Sequence, residues 1–316
     1  MRKRQLGRTD LNVSVLCFGG NVLGWTTDAN QSAAVLDTFM EQGGNFVDSA
    51  DVYSRWVPGN EGGESEVILG QWMKDRGNRA DVIVATKLGS PMGEGKQGLS
   101  RAYMMQAVED SLRRLQTDYI DLYQAHRDDA NTPLEETMAA FDELVTAGKV
   151  RWIGASNYTA ARLAEANAAA AAGEWARFES IQPPYHLLNR ADYEAELEPL
   201  CQKEQIGVIT YSSLASGFLT GKYRPNADLP NSGRASGVQQ RFMNAKGWAV
   251  LEAVESVATR LGATPAQVAL AWIVARPGMT GPIASATTPL QLVDLIGGID
   301  LKLDDDAIAT LDKASA

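Results

Sequence analysis

Histidine and cysteine are scarce: the 316 residues hold only two of each, His126 and His186, Cys17 and Cys201. Cysteines so few and so far apart exclude the disulfide framework of a small secreted protein. Nor do the scattered histidines and cysteines have ligand spacing, so no metal is expected. Positive charge is also in deficit. Lys and Arg number 29 against 39 Asp and Glu, a formal charge of −10. A surface of that sign repels nucleic-acid phosphates and anionic lipid, so no nucleic acid and no membrane is expected as a partner. No apolar run approaches the 18 or more residues of a membrane span. The basic start Met1-Arg2-Lys3-Arg4 looks like the head of a secretion signal, but residues 5–10 are polar where an apolar stretch is needed. A reducing, cytoplasmic location is expected. What remains is an ordinary globular composition, 45% hydrophobic and 22% charged.

Short β-rich apolar runs alternate with helical patterns along the whole chain. The clearest strands are residues 45–48, 82–87, 119–126, 150–156, 180–182 and 207–211. Between them, Ala102, Met105, Val108, Leu112 and Leu115 step by three and four, as do Leu134, Met138, Phe141, Leu144 and Val145. Thr132-Pro133-Leu134-Glu135, Thr264-Pro265-Ala266-Gln267 and Thr288-Pro289-Leu290-Gln291 each read as a capping box with proline at the first helical position. Gly43-Gly44, Gly148 and Gly207 stand where helices stop before the next strand.

Alternating βαβα units imply a parallel sheet, open or closed into a barrel. Polar residues at predicted strand ends decide between them. Asp48, Lys87 and His126 are 39 residues apart in each step, and Ser156, Gln182 and Tyr211 follow at intervals of 30, 26 and 29. A barrel gathers its chemistry on that rim, whereas an open sheet uses one switch point and a Gly-rich fingerprint that residues 18–21 do not fit. The expectation is an α/β fold, a (β/α)8 TIM barrel as a single domain over 1–316. An N-terminal β-hairpin (residues 3–14) closes its bottom. A long strand-7 loop (212–240) can fold over a ligand, and an extra C-terminal helix lies near 304–316.

On that rim a lysine ends an apolar strand with Asp48 as the nearest carboxylate. Tyr53 follows five residues later, far enough to fold back. A phenol is a sluggish acid at neutral pH, and a neighbouring ammonium is expected to lower its pKa. His126 is placed to hydrogen-bond a substrate carbonyl. Asp48 pairing would keep Lys87 protonated, which argues against a Schiff-base lysine.

Residues 46–53 (FVDSADVY), 85–89 (ATKLG) and 121–126 (DLYQAH) resemble three signature segments of the aldo-keto reductases. So do 154–158 (GASNY), 181–185 (IQPPY) and 211–217 (YSSLASG), in the family's order and spacing. The resemblance implies a (β/α)8 barrel and an NAD(P)H-dependent oxidoreductase that reduces an aldehyde or ketone, sugar-derived ones included, to an alcohol. The catalytic tetrad then falls on Asp48, Tyr53, Lys87 and His126. The same resemblance puts Ser156, Asn157 and Gln182 on the nicotinamide carboxamide and stacks Tyr211 on the ring. Ser212, Leu214, Ser216 and Gly217 line the pyrophosphate path. Lys222 and Arg234 match basic cofactor contacts of the subgroup that includes potassium-channel β subunits. Ser285, Thr287, Gln291 and Asp294 match the adenosine end, with Gly20 and Asn21 as further cofactor contacts.

Departures bear on specificity. Ser285-Ala286-Thr287-Thr288 has no Lys or Arg for a 2′-phosphate, and Leu295 stands where asparagine is common. NADP(H) is expected over NAD(H), with Lys222, Arg234 or Thr287 discriminating. Gln291 serves either the cofactor or its own helix cap. Arg127 follows the histidine where tryptophan is common. It either favours anionic or polyhydroxylated substrates or pairs with Asp128 or Asp129, while Trp25 and Trp56 are pocket walls or barrel-edge packing. The expected partner is a small carbonyl or alcohol substrate, with a homo-oligomer left open. The alternative function is a cofactor-binding regulatory module similar to the channel β subunits.

Overall fold

Runs of consecutive buried positions set the architecture, because a strand covered on both faces belongs to a sheet wrapped by helices. The structure, a computed structural model, describes residues 1–316. Its strands in chain order are β1 (Lys3–Gln5), β2 (Asn12–Ser14), β3 (Cys17–Gly19), β4 (Phe46–Asp48), β5 (Ile83–Leu88), β6 (Ile120–Ala125), β7 (Val150–Ser156), β8 (Ser180–Gln182), β9 (Gly207–Thr210) and β10 (Met279–Ala284). Strands β3 to β10 pair in parallel in sequence order, and β10 returns to β3 to close the barrel. Helices form the outer ring, giving a (β/α)8 TIM barrel.

Neither β3 nor β10 is among the clear apolar runs. The first has three residues, and the second carries Gly281 and Pro282, with a register shift against β9 at that place. Proline in a sheet interior is tolerated at such an irregularity because it cannot donate to the ladder.

The N-terminal hairpin pairs β1 with β2. Leu6, Leu11 and Val13 from it pack on Phe46, Ala85, Leu122, Ile209 and Ile283 inside the barrel, plugging the bottom. Gly207 is glycine for this plug rather than for a helix stop. A side-chain carbon there would lie 2.6 Å from Leu6 Cδ1 and 2.7 Å from the Gly7 nitrogen. The preceding helix, α6 (Glu198–Glu204), instead ends on Gln205 in the left-handed region.

Other helices refine the sequence expectations. On α3 (Arg101–Leu115) the buried face is Met104, Ala107, Val108, Ser111, Leu112 and Leu115. Ala102 is exposed, so the stripe starts at Met104. A complete capping box forms at α9 (Pro265–Val274) between Thr264 and Gln267. At α10 (Pro289–Asp300) Thr288 accepts from the Gln291 amide, but the Gln291 side chain accepts from Thr287. At α4 (Leu134–Thr146) Thr132 donates to Asp129, and Pro133 takes the cap position without a side-chain bond. The C-terminal helix α11 (Asp305–Ser315) packs beside α8 (Ala245–Leu261) and accepts Trp272 Nε1 on Asp312 at 2.9 Å. The segment after β9 holds a 3-10 turn (Ala215–Thr220) and α7 (Ala235–Phe242), and Gly233 between them rests against Trp25.

The loop after β4 is pinned from behind by α2 (Glu64–Arg76). Ser49 and Ser65 hydroxyls meet at 2.9 Å, and Ser65 donates to the Gly20 carbonyl at 2.8 Å. Buried Glu66 accepts from Thr86 and from Arg114. Beside them the Asp51 carboxyl is buried with neither oxygen bonded. Burial first, then Glu66, pushes its pKa well up against the opposing pull of Arg114 and Lys87. Below about pH 4 both folded and unfolded states hold that proton; above it only the unfolded chain releases it, so stability falls as pH rises toward the folded pKa. Asp51→Asn removes this dependence. Its thermal midpoint relative to wild type is expected to climb between pH 4 and pH 7; a gap that stays constant with pH would contradict the assignment.

Candidate active site

Adjacent parallel strands bring Asp48 of β4 and Lys87 of β5 to one rim, and neither is exposed to solvent. Lys87 Nζ lies 2.8 Å from Asp48 Oδ1 and donates to the Ser49 carbonyl and to Tyr53 Oη, the latter at 2.9 Å. Three acceptors match the three donors of an ammonium. Asp48 is filled as well. Its Oδ2 accepts from Tyr53 Oη at 2.9 Å and its Oδ1 from Gln182 Nε2 at 2.8 Å. The four predicted residues converge, for His126 follows β6 with its ring 6.1 Å from that of Tyr53.

The Tyr53 phenol departs from expectation. Burial, then the Asp48 charge and its hydrogen bond, push the pKa well above the ordinary phenol value. Burial together with a carboxylate at bonding distance outweighs the effect expected of Lys87, so the hydroxyl rests protonated. His126 moves the other way. Burial, then Lys87 and Arg127, hold it well below the usual histidine range, so the imidazole is neutral and able to donate one N–H.

The tetrad opens into a cleft of about 1460 Å³, above the ~300–1,000 Å³ of a typical small-molecule pocket. Nearly every predicted site residue lines it: Asn21, Asp48, Tyr53, His126, Ser156, Asn157, Gln182, Tyr211, Ser212, Leu214, Ser216, Gly217, Lys222, Arg234, Ser285, Thr287, Gln291, Asp294, Trp25 and Arg127. Three predicted residues stand outside the lining. Lys87 is behind Tyr53. Gly20 is pressed on Asp48, where a side-chain carbon would be 2.7 Å from its carbonyl oxygen. Trp56, half-exposed, stands at the rim, 5.4 Å from the Trp25 ring and 6.3 Å from that of Tyr53.

One hydrogen-bond chain joins the ends of β7, β8 and β9. Tyr211 donates to Asn157 Oδ1 at 2.8 Å, while Asn157 Nδ2 donates to the His126 carbonyl and to Ser156 Oγ, and Ser156 donates to the Gln182 carbonyl. Beyond Tyr211 the backbone turns left-handed at Ser212 (φ 55°), Ala215 (φ 49°), Ser216 (φ 57°) and Gly217 (φ 93°). Non-glycine residues bear this only where the surroundings impose it, and consecutive turns of this kind build anion-binding concavities of backbone N–H groups. Lys222 Nζ lies over Gly217, and Arg234 stacks 4.9 Å from the Trp25 ring with a buried, unpartnered Nη2. Burial and their mutual repulsion lower the Lys222 pKa, and burial lowers that of Arg234.

At the far end Ser285 donates to Asn21 Oδ1 at 2.7 Å, and Asp294 accepts from Thr264 and Gln267. Thr264, legible only as a helix cap, thus also borders the cleft, as do Asn231 and Ser232 of the crossing segment. Nothing in the sequence around residues 231–233 marks them, because their place depends on the path of the whole segment.

The chain matches the Aldo/keto reductase family over residues 15–316. It is 35% identical to the uncharacterized oxidoreductase YrpG of Bacillus subtilis (strain 168), covering 98% of this chain and 95% of that one. It is 33% identical to a probable voltage-gated potassium channel subunit beta of Arabidopsis thaliana (95% and 92% covered). It is 32% identical to Protein tas of Escherichia coli (strain K12), with 99% and 97% covered. With a closed barrel, converging polar strand ends and relatives matched over nearly their whole length, the chain belongs to the Aldo/keto reductase family and is an oxidoreductase of that fold.

Proposed function

We propose that the protein reduces an aldehyde or ketone to an alcohol with NAD(P)H, NADPH being preferred, and that Tyr53 is the proton donor. The observation that carries this reading is the Tyr53 hydroxyl held between Asp48 and Lys87 at the floor of the cleft, 2.9 Å from each. The cradle fits a dinucleotide: paired amides at the ends of β7 and β8, left-handed backbone after β9, and two cations without carboxylate partners above it. When bound, the nicotinamide supplies the hydride that the protein itself lacks.

The side chains do the rest. Neutral His126 donates a hydrogen bond to the carbonyl oxygen and orients it. Tyr53 transfers its proton to that oxygen as negative charge develops there, exchanging its bond to Asp48 for one to the substrate. Lys87, still bonded to Tyr53 Oη, stabilises the phenolate left behind. Asp48 and the Ser49 carbonyl hold the ammonium in place.

Tyr53→Phe is expected to lower carbonyl reduction by at least 100-fold, the scale of losing a general acid, with NADPH binding by fluorescence titration nearly unchanged. Retained turnover would refute the mechanism. Because His126 is already neutral, kcat/KM is expected to show no loss on acidification centred on the ordinary histidine pKa of 6.5. An apparent pKa there that vanishes in His126→Gln would contradict this.

The potassium channel subunit beta relative supports a second reading, a cofactor-binding regulatory module with slow turnover. A panel of simple aldehydes separates the two. Turnover above about 1 s⁻¹ on one of them favours the reductase, as the lower end of typical enzyme rates; tight cofactor binding with negligible turnover on all favours the module.

A further inference from the structure

Arg127 lies beside His126 at the mouth of the cleft, in a protein carrying ten more acidic than basic side chains. Carboxylates are its immediate neighbours in sequence, yet none pairs with it. Asp128 is held by both arms of Arg162, with N–O distances of 2.8 and 2.9 Å. Asp129 accepts from the Leu99 and Asn131 amides and the Thr132 hydroxyl. Packing has therefore turned both acids away from the cleft and left the guanidinium facing it. A planar fork of donors left without a partner in an acidic molecule is suited to a carboxylate or phosphate brought by a ligand.

Position says which ligand. The other unpaired cations of the cleft, Lys222 and Arg234, sit with the left-handed backbone after β9, where a pyrophosphate would be neutralised. Arg127 is carried by a different strand, at the end of β6, next to the imidazole that would hold the substrate carbonyl. Its charge reaches both His126 and Tyr211. The carboxylates in the cleft, Asp48 and Asp294, are engaged by Lys87 and by Thr264 with Gln267, so they do not compete for it.

We infer that the substrate is a short carbonyl compound bearing an anionic oxygen group, carboxylate or phosphate, at the end away from the carbonyl, and that Arg127 recognises that group. This rests on the carbonyl-reductase reading above. The charged group is unchanged in the reaction, which adds hydrogen to carbon and oxygen of the carbonyl alone.

The test compares matched pairs with NADPH: 4-oxobutanoate against butanal, and glyceraldehyde 3-phosphate against glyceraldehyde. Wild type is expected to favour the anionic member of at least one pair by tenfold or more in kcat/KM, the scale of a charge-assisted hydrogen bond. The favoured pair distinguishes carboxylate from phosphate. In Arg127→Gln that ratio falls about tenfold, mainly through KM; Arg127→Lys retains part of it, and Arg127→Glu inverts it. Calorimetry on the protein loaded with NADP⁺ gives a readout without turnover, 4-hydroxybutanoate binding to wild type more tightly than to Arg127→Gln. Equal ratios in wild type and Arg127→Gln, with butanal or glyceraldehyde still reduced, would overturn the inference and leave the reductase reading standing. No reduction of any of these carbonyls by wild type would overturn both.

Discussion

The Asp48–Lys87 ion pair is the constraint around which the barrel's upper rim is arranged. Both charges are out of water, 1% and 0% exposed, and charges so placed are tolerated only when each is paired and otherwise hydrogen-bonded. Their further partners come from two places in the fold: Gln182 from β8, and both Tyr53 and the Ser49 carbonyl from the loop after β4. Breaking such a pair from one side leaves a lone buried charge, a loss of about 3–5 kcal/mol in measured cases. The loop that carries Tyr53 is therefore fixed by the same contacts that make the pair tolerable. Ser65 of α2 buttresses it from behind through the Ser49 hydroxyl. The same network that makes the pair tolerable holds the proposed proton donor, the Tyr53 hydroxyl.

Charge is distributed against the average of the chain. An excess of acids covers the molecule, while the cleft holds Arg127, Lys222 and Arg234 without carboxylate partners. Desolvation lowers the pKa of Lys222 and Arg234, the mark of cations kept together at an energetic cost. An anionic ligand relieves that cost, and the left-handed stretch from Ser212 to Gly217 adds backbone dipoles of the same sign. Arg234 contributes twice. Stacked on Trp25, it also fastens the segment after β9 across the mouth of the cleft.

Much of this was legible because one predicted strand after another ends on a polar residue. Asp48, Lys87 and His126 recur at equal spacing, and a closed barrel turns equal spacing into a shared rim. What escaped the sequence depends on partners distant along the chain. Strand β10 is disguised by Gly281 and Pro282, which a bulge accommodates. The Thr132 hydroxyl serves Asp129, in the loop after β6, instead of the helix it precedes. Whether Arg127 pairs with Asp128 could not be read locally, since the competitor, Arg162, lies 34 residues on. The acidity of Tyr53 escapes the sequence for the same reason: Lys87 and Asp48 are equally near in the pattern, and only the distances show the phenol bonded to both.

In the proposed mechanism, that double bonding accounts for how a phenol of raised pKa serves as an acid. An acid must hold its proton until the substrate is in place, and burial beside Asp48 ensures that it does. It must then lose the proton without leaving an unstabilised anion, and Lys87 is already donating to the same oxygen. The bond to Asp48 competes with the substrate for the proton; the bond to Lys87 does not, because it is accepted rather than donated by Tyr53. As charge builds on the carbonyl oxygen, the hydroxyl gains more by turning toward that oxygen than by remaining on a carboxylate already bonded to Lys87 and Gln182. On that proposal Asp48 keeps the proton in reserve, and Lys87 makes its transfer tolerable.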